Sequence, residues 1–178
     1  MPPNRTRLRA CDVMTAEPVC VRPSMRIREL ARTFEDNEIS GAPVVDHRGR
    51  VIGIVSKTDL IRRCMEGTAD IPPAYLFEVL SEETDEEDEE TLEVVPEPMV
   101  CVEDFMTEDP VTVTPDQPVK AIAKVMSAKH IHRVIVVDEG DYPLGIITSM
   151  DLLRTFAQEQ ATEGTDARRT PPAGRSTP

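Results

Sequence analysis

The chain of 178 residues has no tryptophan, only four phenylalanines and two tyrosines. Its core must therefore be aliphatic, and 39% apolar residues suffice to build one. Long apolar runs are missing as well. Stretches such as Val134 to Val137 fall far short of the ~20 residues of a membrane span. Cysteine is sparse: Cys11, Cys20, Cys64 and Cys101 are separated by 9, 44 and 37 residues. That spacing holds no CxxC knuckle, and a chain this long folds without covalent staples, so reduced thiols are expected. Positive charge is in deficit, with 20 basic against 33 acidic residues and a net charge of −13. Such a balance repels nucleic acid and anionic lipid, which excludes both as expected partners. Met1 to Ala10 is polar and basic, without the apolar centre of a secretory signal. A cytoplasmic protein is the expectation.

The acidity is concentrated. Glu82 to Glu90 carries eight carboxylates, without which the net charge would be −5. Like charges at that density repel one another, so the run reads as a solvated linker, or as a docking site for a basic partner. Before it, Leu76, Val79 and Leu80 make a short helical stripe that could pack on the molecule or on something else. The end of the chain is rich in Thr, Pro, Gly and Arg without apolar periodicity and reads as disordered.

What the sequence does contain is a repeat. Asp12-Val13-Met14-Thr15 corresponds to Asp104-Phe105-Met106-Thr107, 92 residues later. The match continues without a gap from Asp12 to Arg62 against Asp104 to Arg154, over 51 positions. Pro18-Val19 falls on Pro110-Val111, Val44-Val45-Asp46 on Val136-Val137-Asp138, and Gly53-Ile54 on Gly145-Ile146. Each copy reads the same way. A short strand (Val19 to Val21, Val111 to Thr114) ends at Pro23 or Pro115. A helix follows, with Ser24 and Asp116 as candidate N-caps. Its apolar stripe is Ile27, Leu30, Ala31 and Phe34, or Val119, Ile122, Ala123 and Met126. Two β-branched strands form a hairpin, Ala42 to Val45 with Val51 to Val55, and Val134 to Val137 with Leu144 to Ile147. A second helix starts near Ser56 or Thr148. The unit is β-α-β-β-α, in an α/β (α+β) fold. Its strands are apolar on both faces and need covering on both. One unit of about 50 residues is marginal alone, so the two are expected to pack about a pseudo-two-fold axis and leave two equivalent clefts. The expected organisation is repeat 1 over residues 10–64, an acidic linker with a short helix over 65–100, repeat 2 over 101–160 and a disordered tail over 161–178.

These residues resemble the cystathionine-β-synthase (CBS) domain: Met-Thr, Pro-Val, a helix, Pro-Val-Val-Asp, Gly-Ile-Val-Ser, then Asp-Leu. Two in tandem resemble a Bateman module, and the resemblance covers about two-thirds of the chain. It implies binding of an adenosine derivative (AMP, ADP, ATP or S-adenosylmethionine) in the clefts between repeats, and regulation of a partner protein not identified by the sequence. It also implies homodimers paired through helices; the stripes Leu60, Ile61, Cys64 and Leu152, Leu153, Phe156 are apolar enough to need covering.

Gly53 to Asp59 and Gly145 to Asp151 both fit the family's Gly-h-h-[Ser/Thr]-x-x-Asp pattern. The resemblance makes Ser56, Asp59, Thr148 and Asp151 ribose-binding residues. A strand-to-helix junction also offers free N–H groups to an anion. The same spacing resembles a capping box, and the two readings are compatible before a ligand arrives. His130-Ile131-His132-Arg133 could be a metal pair, though with no third ligand evident, or a charged helix end without a role. By resemblance, His132 and Arg133 contact phosphate, for which the planar Arg fork is suited. Ser40 and Gly41 hold the equivalent places in repeat 1 and carry no charge, so the clefts are chemically unequal. The adenine pocket implied by resemblance comprises Thr15, Pro18, Val19, Ala42, Pro43, Pro110, Val111 and Val134, any of which could instead only pack the core. No nucleophile motif, phosphate loop or metal-ligand cluster is present, and neither catalysis nor a catalytic cofactor is expected. The remaining alternatives are an interaction module with empty clefts, and an enzyme of unfamiliar type.

Overall fold

The structure is a computed structural model that describes residues 8–65 and 99–166. The acidic run and the Leu76–Leu80 stripe lie outside the described residues. In chain order the elements are α1 (Ala10–Val13), β1 (Thr15–Ala16), α2 (Ile27–Asp36), β2 (Gly41–Val45), β3 (Val51–Ser56) and α3 (Lys57–Met65). A 3-10 turn over Val102–Asp104 follows, then β4 (Thr107–Glu108), β5 (Thr112–Val113), α4 (Val119–Lys129), β6 (Arg133–Val137), β7 (Pro143–Thr148) and α5 (Ser149–Asp166).

The same local chemistry builds both copies. In the hairpin turns, Asp46 accepts from the N–H groups of Arg48 and Arg50, and Asp138 accepts from those of Gly140 and Tyr142. A short polar side chain that bonds the backbone just ahead of it closes a tight turn. The helices bury the stripes expected of them. Ile27, Leu30 and Phe34 are inside α2, and Val119, Ile122 and Met126 are inside α4.

The repeats exchange their leading segments. The chain 9–16 belongs to the first repeat in sequence but packs with the second in space. Ala10 lies in the second core among Ile122, Val136 and Ile147, and β1 pairs antiparallel with β7, Thr15 opposite Ile146. Reciprocally, Val100 and Val102 enter the first core with Leu30, Phe34 and Val44, and β4 pairs with β3. One sheet therefore runs β1-β7-β6-β5 and the other β2-β3-β4. The exchange explains two glycines. A Cβ on Gly145 would sit 2.5 Å from Met14 Sδ and 2.9 Å from the Thr15 carbonyl. One on Gly53 would sit 2.7 Å from Met106 Sδ. Exchange in both directions is what an approximate two-fold relation between the repeats produces.

Several expectations are corrected. Ser24 and Asp116 do not cap the first helices, which begin later, at Ile27 and Val119. The residues just ahead of each helix are held extended by bridges to the exchanged segments, Arg26 to Cys101 and Pro118 to Arg9. Asp116 instead accepts the Thr114 hydroxyl at 2.6 Å, and that bond holds its carboxyl below the usual aspartate range. The strand expected at Val19 to Val21 shrinks to one parallel bridge, Val21 to Val44, while its counterpart survives as β5 beside β6. The last helix runs to Asp166, so residues 161–166 are helical and not disordered as expected. A helix already under way adds each residue at little cost.

Each sheet has its core on one face. Ala42, Val44 and Val55 lie in the first core, and Val134, Val136 and Ile147 in the second. The other faces are covered too. Pro43 and Ile135, equivalent in the two repeats, are buried yet belong to neither core. Backbone contact also joins the repeats, since the Val51 N–H donates to the Asp141 carbonyl at 2.9 Å.

Candidate functional site

Ser56 ends β3 and Thr148 ends β7, and each is followed at once by a helix. Both junctions close the same box. The Ser56 N–H and hydroxyl donate to Asp59 Oδ2 at 2.9 and 2.5 Å, and the Asp59 N–H donates back to Ser56 Oγ at 3.3 Å. Thr148 and Asp151 repeat this at 2.8, 2.6 and 3.3 Å. The capping box is thus formed in both copies with aspartate in place of the usual glutamate. In each, Oδ2 is committed to the cap. Oδ1 faces outward to an arginine one turn on, Arg62 at 3.7 Å or Arg154 at 3.5 Å. Those arginines are largely exposed, so the pairs hold Oδ1 weakly.

Arg133 connects the repeats. It opens β6 directly opposite Thr148, and Gly41 opens β2 directly opposite Ser56. The Arg133 guanidinium crosses to the first repeat, donates to Ser40 Oγ at 3.4 Å and lies over Gly41. A Cβ on Gly41 would fall 1.4 Å from Arg133 Nη1. Burial pulls this guanidinium below its usual pKa, and the negative charge of Asp59 acts against that. The cation contributed by repeat 2 therefore feels the carboxylate of repeat 1. Partly desolvated, it is predisposed to attract an anion.

His132 and Arg133 are not brought together. His132 lies in the bend just ahead of β6, and Arg133 is the first residue of that strand. His132 is exposed and lines a groove of about 500 Å³ between α4 and α5, with Met126, Ile131, Leu152 and Phe156. Its carbonyl accepts the Ser149 N–H at 2.9 Å. Among the expected adenine-pocket residues, Ala42 and Val134 lie wholly inside the two cores. Pro43 is buried on the opposite face of β2; Pro18, Val19, Pro110 and Val111 are half-buried; and Thr15 is exposed on β1. Sequence reasoning did not foresee Ser40 as the acceptor for Arg133, because the contact spans 93 residues. The 92-residue offset did mark Ser40 and Gly41 as the places equivalent to His132 and Arg133. Among the described residues no group of three or more His, Cys, Asp or Glu is arranged to hold a metal ion. No described helix is long and apolar enough to cross a membrane. All four cysteines are free thiols.

A strand-helix junction bearing hydroxyl and carboxylate, faced by an arginine from a second copy of the same unit, defines a paired-repeat module with its polar site between the copies. The chain belongs to the CBS domain family, which matches residues 10–66 and 102–158. It is 31% identical over 151 residues to an uncharacterized protein of Methanocaldococcus jannaschii, covering 82% of this chain and 89% of that one. Of two longer proteins from that organism it spans 38% and 43%. In fold it is similar to a CBS domain pair solved with 5′-methylthioadenosine and S-adenosyl-L-methionine. There the TM-score is 0.66 at 23% identity, over 86% of this chain and 98% of that one. It is also similar to CBSX2, solved with AMP, with a TM-score of 0.63 at 21% identity, over 85% and 98% of the two chains.

Proposed function

We propose that the protein is a non-catalytic sensor that binds an adenosine derivative between its repeats and passes that occupancy to a partner protein. The observation that carries this reading is the reach of Arg133 from the second repeat over Gly41 of the first, beside the Ser56–Asp59 junction. Asp59 Oδ1 accepts the ribose hydroxyls, Arg133 meets phosphate, and apolar backbone near Pro18 and Pro43 receives the adenine. Adenosyl ligands in the two solved relatives agree with that chemistry. A single arginine suits one phosphate, so AMP ranks ahead of ADP and ATP, with S-adenosylmethionine as the phosphate-free option. The protein acts in the cytoplasm, which suits four free thiols. It acts as a homodimer, since Ile61 and Met65 of α3 and Leu153 and Phe156 of α5 stand exposed on the helical side.

A second reading has its own observation. Both carboxylates are satisfied by their caps without any ligand, as they would be in an interaction module whose clefts stay empty. Denaturing the purified protein and identifying released nucleotides by mass spectrometry separates the two. So does melting with AMP: ligand at 100 times its Kd adds about 2.7 kcal/mol to stability. No released adenosyl compound, with no shift in melting for AMP or S-adenosylmethionine, would leave only the interaction module.

A further inference from the structure

The hairpins β2–β3 and β6–β7 meet each other at both ends. Where β2 and β6 begin, Arg133 reaches Ser40 and Gly41. At the far end of these five-residue strands, about 13 Å away, the turns 46–50 and 138–142 come together. There the Val51 N–H of repeat 1 donates to the Asp141 carbonyl of repeat 2 at 2.9 Å. The Tyr142 ring completes the contact, because it lies between turn glycines of the two repeats. A Cβ on Gly49 would sit 3.6 and 3.7 Å from Cε1 and Cδ1, and one on Gly140 would sit 3.0 Å from Cδ2 and Cε2.

An approximate two-fold relation would make this contact twice, and the sequence prevents it. At the 92-residue offset Val51 corresponds to Pro143, and Gly49 to Asp141. The turns are alike in backbone, with Gly49 and Asp141 both left-handed at φ 85° and 63°. Proline has no N–H, so the reciprocal bond to Gly49 cannot form. The ring is one-sided too. Arg50 stands in the place of Tyr142 and is held by Asp46 of its own turn. Charge assists the join: Asp46, Arg48 and Arg50 of one turn face Asp138, Glu139 and Asp141 of the other, two cations and one carboxylate against three carboxylates.

We propose that the two turns are a latch, pinned by Tyr142, that holds the repeats together at the tips and so sets the width of the cleft at the other end of the same hairpins. The inference rests on the adenosyl-binding reading above and names a control over that site. Each hairpin is paired along its whole length, so a shift at its tip is carried to Gly41 or Arg133. The join at the cleft end is one side-chain bond of 3.4 Å, which Arg133 gives up when it turns to an anion. The tips then remain to keep the repeats in place. With the tips loosened, a ligand must order the repeats as it binds, and affinity falls.

The test is amide exchange at Val51, read by nuclear magnetic resonance, beside calorimetric titration of AMP, in Tyr142→Ala, Gly140→Ala and Tyr142→Phe. The ring is 44% exposed, so its loss leaves no cavity in either core, and Gly140 has no left-handed φ to forbid alanine. The latch predicts that Tyr142→Ala speeds Val51 exchange about tenfold, as loss of one hydrogen bond's protection would. It also predicts AMP binding weaker by about threefold or more, although Tyr142 is at the far end of the hairpin from the site. Gly140→Ala, which pushes the ring aside, moves both quantities the same way, and Tyr142→Phe moves neither. Unchanged Val51 exchange in Tyr142→Ala would overturn the latch. Faster exchange with unchanged AMP affinity would overturn its control of the cleft and leave the adenosyl-binding reading standing. A wild-type chain that binds neither AMP nor S-adenosylmethionine would overturn that reading and the control with it, while Val51 exchange still decides whether the tips are latched.

Discussion

The guanidinium of Arg133 lies over Gly41, a residue distant in sequence that opens the equivalent strand of the other repeat. Any side chain on Gly41 would occupy its space, the nearest approach being 1.4 Å from Nη1. The far end of an arginine can swing away, but the Val55 carbonyl oxygen, 2.9 Å from the same Cβ, is backbone, so a substitution displaces the charge and also strains the β2–β3 pair.

Gly41→Ala should therefore lose some stability, as overpacking against backbone does, and also lose affinity for AMP, by about as much as Arg133→Ala does. Isothermal titration of both variants measures this. Unchanged AMP affinity in Gly41→Ala would separate the arginine's placement from binding.

The two carboxylates should differ in function but agree in stability. Asp59→Ala and Asp151→Ala each remove a cap, so each should lower stability by about 1 kcal/mol. Asp59 acts on Arg133, an arginine from the other repeat. A charge-assisted contact contributes about 1.5–3 kcal/mol, so AMP affinity should fall tenfold or more in Asp59→Ala and Arg133→Ala and less in Asp151→Ala. Calorimetric titration alongside thermal melts reads both quantities. Strong loss from Asp151→Ala with Arg133→Ala silent would refute the pairing across repeats.

The exchanged segments should be sensitive to volume. Gly145→Ala puts a methyl against Met14 Sδ and the Thr15 carbonyl, and overpacking of this kind costs about 1–3 kcal/mol. Trimming the thioether with Met14→Ala in the same chain should recover part of that loss. Urea denaturation of the single and double variants checks it, and additive losses would show that the two residues do not meet.

Acid should act through the hairpin turns. The Arg50 N–H, ahead of the other donors, holds the Asp46 carboxyl below its usual 3.8. A folded pKa below the unfolded one means a contribution present above the unfolded value and lost as pH falls through the folded one. The melting difference between wild type and Asp46→Asn at pH 6 should therefore narrow below about pH 3.8. A difference that stays constant with pH would assign it to shape and not to charge.

The sequence alone determined what is local or repeated. The 92-residue offset, the stripes Ile27–Leu30–Phe34 and Val119–Ile122–Met126, the hairpins, and the Ser56–Asp59 and Thr148–Asp151 junctions depend on residues within a turn or two of each other. Tertiary structure decided the rest. The helices start late because the exchanged segments hold Arg26 and Pro118 extended, which no local signal at Ser24 or Asp116 announces. Ala42 and Val134 face the cores, while Pro43 and Ile135 are buried on the opposite faces of their strands. On strands apolar on both faces, alternation gives no sign of which side is which. His132 and Arg133, neighbours in the chain, serve different surfaces: His132, in the bend ahead of β6, lines the α4–α5 groove, and Arg133, opening the strand, reaches Ser40 of the other repeat. Ser40 meets Arg133 only because the two repeats pack together, and that packing is a property of the assembled faces, not of either copy's sequence.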